Sequence, residues 1–215
     1  MLDFDLPEGC LCLIADEGTT TGTELAQRLA ACGWRVALLR LPGAAATQSN
    51  LPSLLTTISL EDWGEAHLTA CLATLERDYG PVGGLIHLQP SGEDDWFAPR
   101  ARSSLKWLFL LAKHLKRPLS TAAQRGHSFF VAITRLDGQL GLGESSAHSA
   151  VNGGVFGLAK TLSLEWPQTF CRAVDVSPDF TPERAAEAVV SELHDPNRLM
   201  VETAWSGQGR VTLRA

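Results

Sequence analysis

"GCLCLIADEGTTTGTELAQRLAACGWRVALLRL", Gly9–Leu41, decides the fold. Its first part, Cys10–Ala15, is an unbroken run of apolar and thiol side chains between Gly9 and Asp16. That is the pattern of a strand covered on both faces of a parallel sheet. A glycine turn with Gly18 and Gly22 follows. "TGTELAQRLAACGW" then sets Leu25, Leu29 and Ala30 on one face at helical spacing, with a threonine cap at its start and Gly33 as its C-terminal stop. "RVALLRL" is a second buried strand. Strand, tight turn, helix and strand within about 40 residues make a βαβ unit with a right-handed crossover.

The rhythm continues outward from this unit. "LPSLLTTISL" is a loop feeding a short strand, and "EDWGEAHLTACLATLERDYG" spaces Trp63, Ala66, Leu68, Leu72 and Leu75 for an amphipathic helix. "PVGGLIHLQP" is a buried strand closed by Pro90, and "ARSSLKWLFLLAKHLKRPL" a long helix expected to end at Pro118. "HSFFVAITRL" is β-branched and aromatic, hence a strand. "AHSAVNGGVFGLAKTLSLEWP", Ala147–Pro167, is a helix, "CRAVDVSPD" a strand, and "TPERAAEAVVSELHDP" a helix capped by Thr181 ahead of Pro182. Six or seven strands alternating with six helices predict an α/β fold: a doubly wound, Rossmann-like parallel sheet with helices on both faces. The 215 residues suit one domain, 1–215. The tail, about 198–215, breaks the rhythm, and its two β-like stretches around Gly207 and Gly209 read as a hairpin or short C-terminal β arm.

Hydrophobic residues make up 45% and charged residues 20%, a balance that folds rather than stays disordered. A formal charge of −6 and no dense Lys/Arg stripe argue against nucleic acid as a partner. No run approaches the roughly 20 apolar residues needed to span a bilayer, and the start "MLDFDLPEGC" lacks the basic and apolar regions of a signal peptide. The expectation is a cytoplasmic protein without membrane contact. Cys10, Cys12, Cys32, Cys71 and Cys171 form no CxxC pair and are expected to be buried, reduced thiols, with no metal site.

The glycine-rich turn, the long lysine-containing helix, "FFVAITRLDG" and "GGVFGLAKTLSLEWP", taken in order, resemble the short-chain dehydrogenase/reductase superfamily. More narrowly, "LAKTLSLEWP" (Leu158–Pro167), "CRAVDV" (Cys171–Val176) and "ELHDPN" (Glu192–Asn197) resemble the ketoreductase region of polyketide synthases and polyunsaturated-fatty-acid synthases. The resemblance implies two Rossmann-like halves: a structural subdomain without chemistry, which this chain resembles, and a catalytic subdomain that binds NADPH.

Under that resemblance the phosphate-binding pattern TGxxxGxG falls on Asp16 or Glu17, then Gly18 and Gly22, with its last glycine replaced by Glu24. Carboxylates at Asp16, Glu17 and Glu24 oppose a phosphate, so Gly18 and Gly22 read as a vestigial turn and no cofactor is expected on this chain. Arg40, at the end of the second strand, stands where a 2′-phosphate would be read, or else is a solvated arginine capping a strand. The family's YxxxK pair, a proton donor and the lysine that lowers its pKa, maps onto His148 and Asn152. Both catalytic groups are therefore replaced. The family's carbonyl-binding serine lies upstream near Thr134 or Arg135, and Ser145 and Ser146 are too close to serve. Tyr79, the single tyrosine, sits at the end of another helix, and Lys160 is two turns beyond Asn152 and faces elsewhere. His148 has a pKa suited to a general acid, though a hydrogen-bonded or solvent-facing histidine is the simpler reading. His87, at the end of "LIHL", is either a cleft-lining group or one satisfied by backbone, and Lys106 a surface charge. There is no GxSxG elbow, P-loop or HExxH pair, and the carboxylates of "GEDDWF" read as a solvated turn.

Three readings stay open. One is a non-catalytic structural half of a synthase ketoreductase, whose partner subdomain in the same polypeptide reduces acyl-carrier-bound β-keto thioesters with NADPH, the acyl carrier protein being an indirect partner. The second is an active reductase with a relocated group such as His148, and the third a free-standing pseudo-reductase scaffold. The helix carrying Val155, Phe156, Leu158, Ala159, Leu162 and Leu164 is apolar nearly all round and calls for a second packing partner. Gly153, Gly154 and Gly157 permit close approach to it.

Overall fold

Strand β1 (Leu11–Asp16) is buried along its whole length, and the chain winds outward from it in both directions. In the computed structural model, which describes residues 5–16, 18–43, 55–90, 99–143 and 151–213 (backbone alone at 99–101), β1 leads into helix α1 (Thr20–Ala31) and strand β2 (Val36–Arg40). Thr19 caps α1 by accepting from the Gly22 amide, and Gly33 closes it with φ +89°, a left-handed conformation suited to glycine. The first βαβ unit is thus present as expected.

Edge strand β3 (Leu55–Ser59) is followed by α2 (Glu65–Tyr79), β4 (Val82–Leu88), α3 (Pro99–Arg125), β5 (Phe129–Thr134), α4 (Asn152–Glu165), β6 (Phe170–Val176) and α5 (Pro182–Leu193). Strands β7 (Glu202–Ser206) and β8 (Gly209–Thr212) finish the described chain. The sheet order is β3-β2-β1-β4-β5-β6-β7-β8, parallel throughout except for the β7–β8 hairpin. This is the doubly wound order, with its switch between β1 and β4. The tail hairpin continues the main sheet, because β7 pairs in parallel with β6 from Ala173↔Glu202 to Val176↔Trp205.

Strand side chains alternate between two cores. Cys12, Ile14, Val36, Leu38, Phe129 and Val131 face α1 and α5, whereas Leu11, Leu13, Ala15, Phe130 and Ala132 face α2, α3 and α4. Close packing fixes one glycine: a Cβ on Gly84 would overlap the fully buried Phe129 ring. Gly84→Ala is therefore expected to cost about 1–3 kcal/mol through overpacking, read as a lower urea midpoint at unchanged slope.

Several expectations are corrected. Helix α3 does not end at Pro118 but runs on to Arg125, because Leu115, Leu119 and Ala122 continue one buried stripe whose burial outweighs the missing amide. Trp63 precedes α2 rather than belonging to it; its carbonyl accepts from Trp107 Nε1 at 3.0 Å, and the two rings meet edge to face. Ala66 is exposed. Five helices, not six, stand among the described residues. Cys10, Cys12 and Cys171 are buried and their thiols pushed up by burial, Cys171 to about 12, but Cys32 is exposed and Cys71 half-buried. No described helix is long and apolar enough to cross a membrane, and no described cluster of side chains is arranged to hold a metal ion.

Candidate functional site

The carboxyl ends of β1, β4, β5 and β6 frame the crevice where doubly wound sheets bind ligands. Asp16 ends β1 pointing to the α1 side and is fully buried. Its Oδ2 accepts from the Gly18 amide at 3.1 Å, the Thr19 amide at 2.8 Å and Arg40 Nη1 at 2.7 Å, and its Oδ1 from the Thr19 hydroxyl at 2.8 Å. A Cβ on Gly22 would overlap this carboxylate. The turn's amides and the N-terminal end of α1 thus enclose a carboxylate belonging to the chain itself. Burial pushes the Asp16 carboxyl up, opposed by Thr19, Arg40 and the Gly18 amide.

Arg40 is 6% exposed and also donates to Thr23 Oγ1 at 3.3 Å, which corrects its reading as a solvated strand cap. Strand alternation puts Val36, Leu38 and Arg40 on the α1 side, so its guanidinium lies under the helix beside Asp16. Glu24 turns away to Arg28, one turn along α1, at 2.8 Å. It does not reach into the turn as expected.

Beside this turn, Arg135 straps the crevice. Its guanidinium donates to Thr21 Oγ1 at 3.3 Å and to the carbonyls of Pro178 at 3.0 Å and Phe180 at 2.8 Å. The cavity left between Asp16, Thr21, Gln89 and Arg135 has a volume of about 50 Å³. Ligand pockets commonly span about 300–1,000 Å³. Thr134 does not face this cavity; its hydroxyl donates to Asp175 Oδ1 at 3.1 Å. Asp175 also accepts from the Leu136 and Leu140 amides. Burial pushes its carboxyl up, and the neighbouring Asp137 adds to the rise.

His87 projects from β4 to the α3 side and is fully buried. Its Nε2 lies 3.1 Å from Gln89 Oε1, an acceptor, which places the proton on Nε2. Ser104 Oγ, from α3, donates to the same oxygen at 3.1 Å. His87 Nδ1, Gln89 Nε2 and Asn152 Oδ1 have no hydrogen-bond partner. His87 is therefore held by side chains, not by backbone as one reading had it. Protonating Nδ1 would create a buried donor without an acceptor, and burial lowers the imidazole pKa to about 4.

Asn152 opens α4. His148, Ser145, Ser146, Glu17 and the carboxylates of "GEDDWF" lie outside the described residues. Lys106 is exposed on α3, as expected of a surface charge; Lys160 pairs with Glu202 at 3.0 Å, and Tyr79 sits at the end of α2, away from the crevice. On α4, Val155, Phe156, Ala159 and Leu162 are buried, Leu158 is half-buried and Leu164 is 84% exposed.

One group of residues escaped the sequence reading. Arg172, in the middle of β6, is fully buried and meets Glu192 at 2.5 Å and Asp195 at 3.0 Å; Arg210 from β8 joins the same two carboxylates. The available signal was a cation at the centre of the apolar strand "FCRAVDV". A charge in that position needs an internal counter-ion.

Compared with known proteins, the chain is 32% identical over 219 residues to a polyunsaturated fatty acid synthase subunit of Thraustochytrium sp., with 99% of this chain aligned. It is homologous to one stretch of that protein and spans 8% of its length. No family model matches the chain. In fold it is similar to an actinorhodin polyketide ketoreductase variant solved with NADPH, at TM-score 0.69 and 18% identity over 90% of this chain and 94% of that one. A SCOR enzyme from Clostridium thermocellum gives 0.67 at 10% identity over 87% of each chain. Serine dehydrogenase from Escherichia coli gives 0.66 at 17% identity over 86% of this chain and 92% of that one. The architecture is the same doubly wound, Rossmann-like sheet as in these three structures.

Proposed function

We propose that this chain, a homologue of part of a polyunsaturated-fatty-acid synthase with a reductase fold, is the structural half of a synthase ketoreductase. Its role is to hold a catalytic partner subdomain of the same polypeptide, which reduces acyl-carrier-bound β-keto thioesters with NADPH. The observation that carries this reading is the buried Asp16–Arg40 ion pair inside the first turn. Amides that would face a pyrophosphate already donate to a fixed carboxylate, and a dinucleotide phosphate there would meet a like charge. These residues do not fit the cofactor.

The replacement of tyrosine and lysine by His148 and Asn152 agrees with this, since neither side chain forms the phenol–ammonium pair of the family. Titrating the chain with NADPH while following nicotinamide fluorescence is expected to show no saturable binding, and a model β-ketothioester no turnover. Saturable binding with turnover would replace this reading by that of an active reductase using a relocated group.

A further inference from the structure

Helix α3 carries seven Lys and Arg residues and no Asp or Glu, in a chain whose formal charge is −6. Arg102, Lys106, Phe109, Lys113 and Lys116 are exposed at spacings of three or four residues, with exposed Arg117 beside Lys116, whereas Trp107, Leu108, Leu111 and Leu115 bury the opposite face. The exposed residues therefore form one outward ridge about 22 Å long at 1.5 Å per residue. Phe109, 56% exposed, stands near its middle.

Of the five cations, only Lys113 has a carboxylate partner among the described residues, Glu65 at 2.7 Å. Arg102 with Lys106, and Lys113 with Arg117, are like-charge neighbours at a spacing of four, which destabilises a helix unless acids are supplied from elsewhere. Alongside, α4 approaches through Gly154, against Leu105, and presents Leu164 at 84% exposure. A phenylalanine framed by cations suits an acidic protein surface with an apolar socket, which engages the charges and the ring together.

We propose that this α3 ridge docks an acidic protein surface with an apolar socket for Phe109, carried by another domain of the same synthase polypeptide; this rests on the structural-half reading. Charge complementarity sets orientation and encounter, and burial of Phe109 holds the contact.

Carbodiimide coupling joins a lysine amine to a carboxylate only where the two are in contact, and its products can be mapped by peptide mass spectrometry on the synthase polypeptide carrying this chain. Lys106 and Lys116 are expected to couple to Asp or Glu outside residues 1–215. The yield should fall at least ten-fold in the R102E/F109S/R117E variant, while the internal Lys160–Glu202 link persists. Equal circular dichroism and melting of the isolated variant and parent chains show that the loss is not unfolding. Coupling confined to the chain, or unaffected by the variant, overturns the proposal. So does tight binding of the chain to single-stranded DNA or phosphatidylserine vesicles at physiological salt that the variant abolishes. A blank NADPH titration with no external coupling removes the docking face alone, whereas NADPH turnover by the isolated chain removes the structural-half reading and the docking face with it.

Discussion

Arg172→Ala is expected to lower the unfolding free energy by about 3–5 kcal/mol, the cost of stranding a buried charge. The guanidinium is fully buried and all its nitrogens are engaged. Nη1 donates to Glu192 Oε2 at 2.5 Å and Asp195 Oδ2 at 3.0 Å, Nη2 to the Asn197 carbonyl at 2.5 Å, and Nε to the Met200 carbonyl at 2.9 Å. Burial pulls the Arg172 pKa down, and Glu192 and Asp195 oppose that shift. Arg210 and the Trp205 indole also donate to Glu192, so α5, β6 and the β7–β8 hairpin meet at one carboxylate. With two arginines and two acids the group is neutral; removing Arg172 leaves Glu192 in the interior with a weakened counter-charge. Arg172→Lys should recover little, because an ammonium cannot span the fork of acceptors. Arg172→Met with Glu192→Leu should recover most of the loss, since an apolar pair has no ion to desolvate. Urea unfolding of the single and double variants measures the coupling. A cost below about 1 kcal/mol for Arg172→Ala would show the cluster to be solvated instead.

Acidification is expected to weaken the fold through His87, by about 3 kcal/mol as pH falls to about 4. The folded imidazole titrates near 4 because it is buried, against an ordinary value of 6.5. In that window the unfolded chain binds a proton at this position and the native chain does not, so stability rises with pH. Asp175 acts with the opposite sign: its raised carboxyl pKa adds stability that is lost as pH climbs through the folded value. Comparing the parent with His87→Gln at about pH 7.5 and about pH 4.5 isolates the histidine. The parent should lose about 2–3 kcal/mol more than the variant over that interval. Identical pH slopes would mean that His87 finds an acceptor for a second proton.

Local pattern carried much of the fold. The apolar run ending at Asp16, the capped helix before Gly33, the Thr181–Pro182 start of α5 and the hairpin turn before Gly209 each follow from side-chain periodicity or from backbone conformations that few residues adopt. Pro118 was misread because a local breaker rule does not register the buried stripe of Leu115, Leu119 and Ala122 on both sides of it. At the crevice the turn glycines were legible, but the partnership of Asp16 with Arg40 was not. The two are 24 residues apart and meet only once β1 and β2 lie side by side in register. Arg172 was hidden for the same reason, since its counter-ions arrive from α5 and the loop beyond it.

The Asp16–Arg40 pair ties two positions 24 residues apart into one unit of substitution. Changing Asp16 alone strands a guanidinium under α1, and changing Arg40 alone strands a carboxylate among amides, so either single change costs stability that the double change avoids. A lineage carrying this turn is therefore expected to exchange the two residues together or not at all.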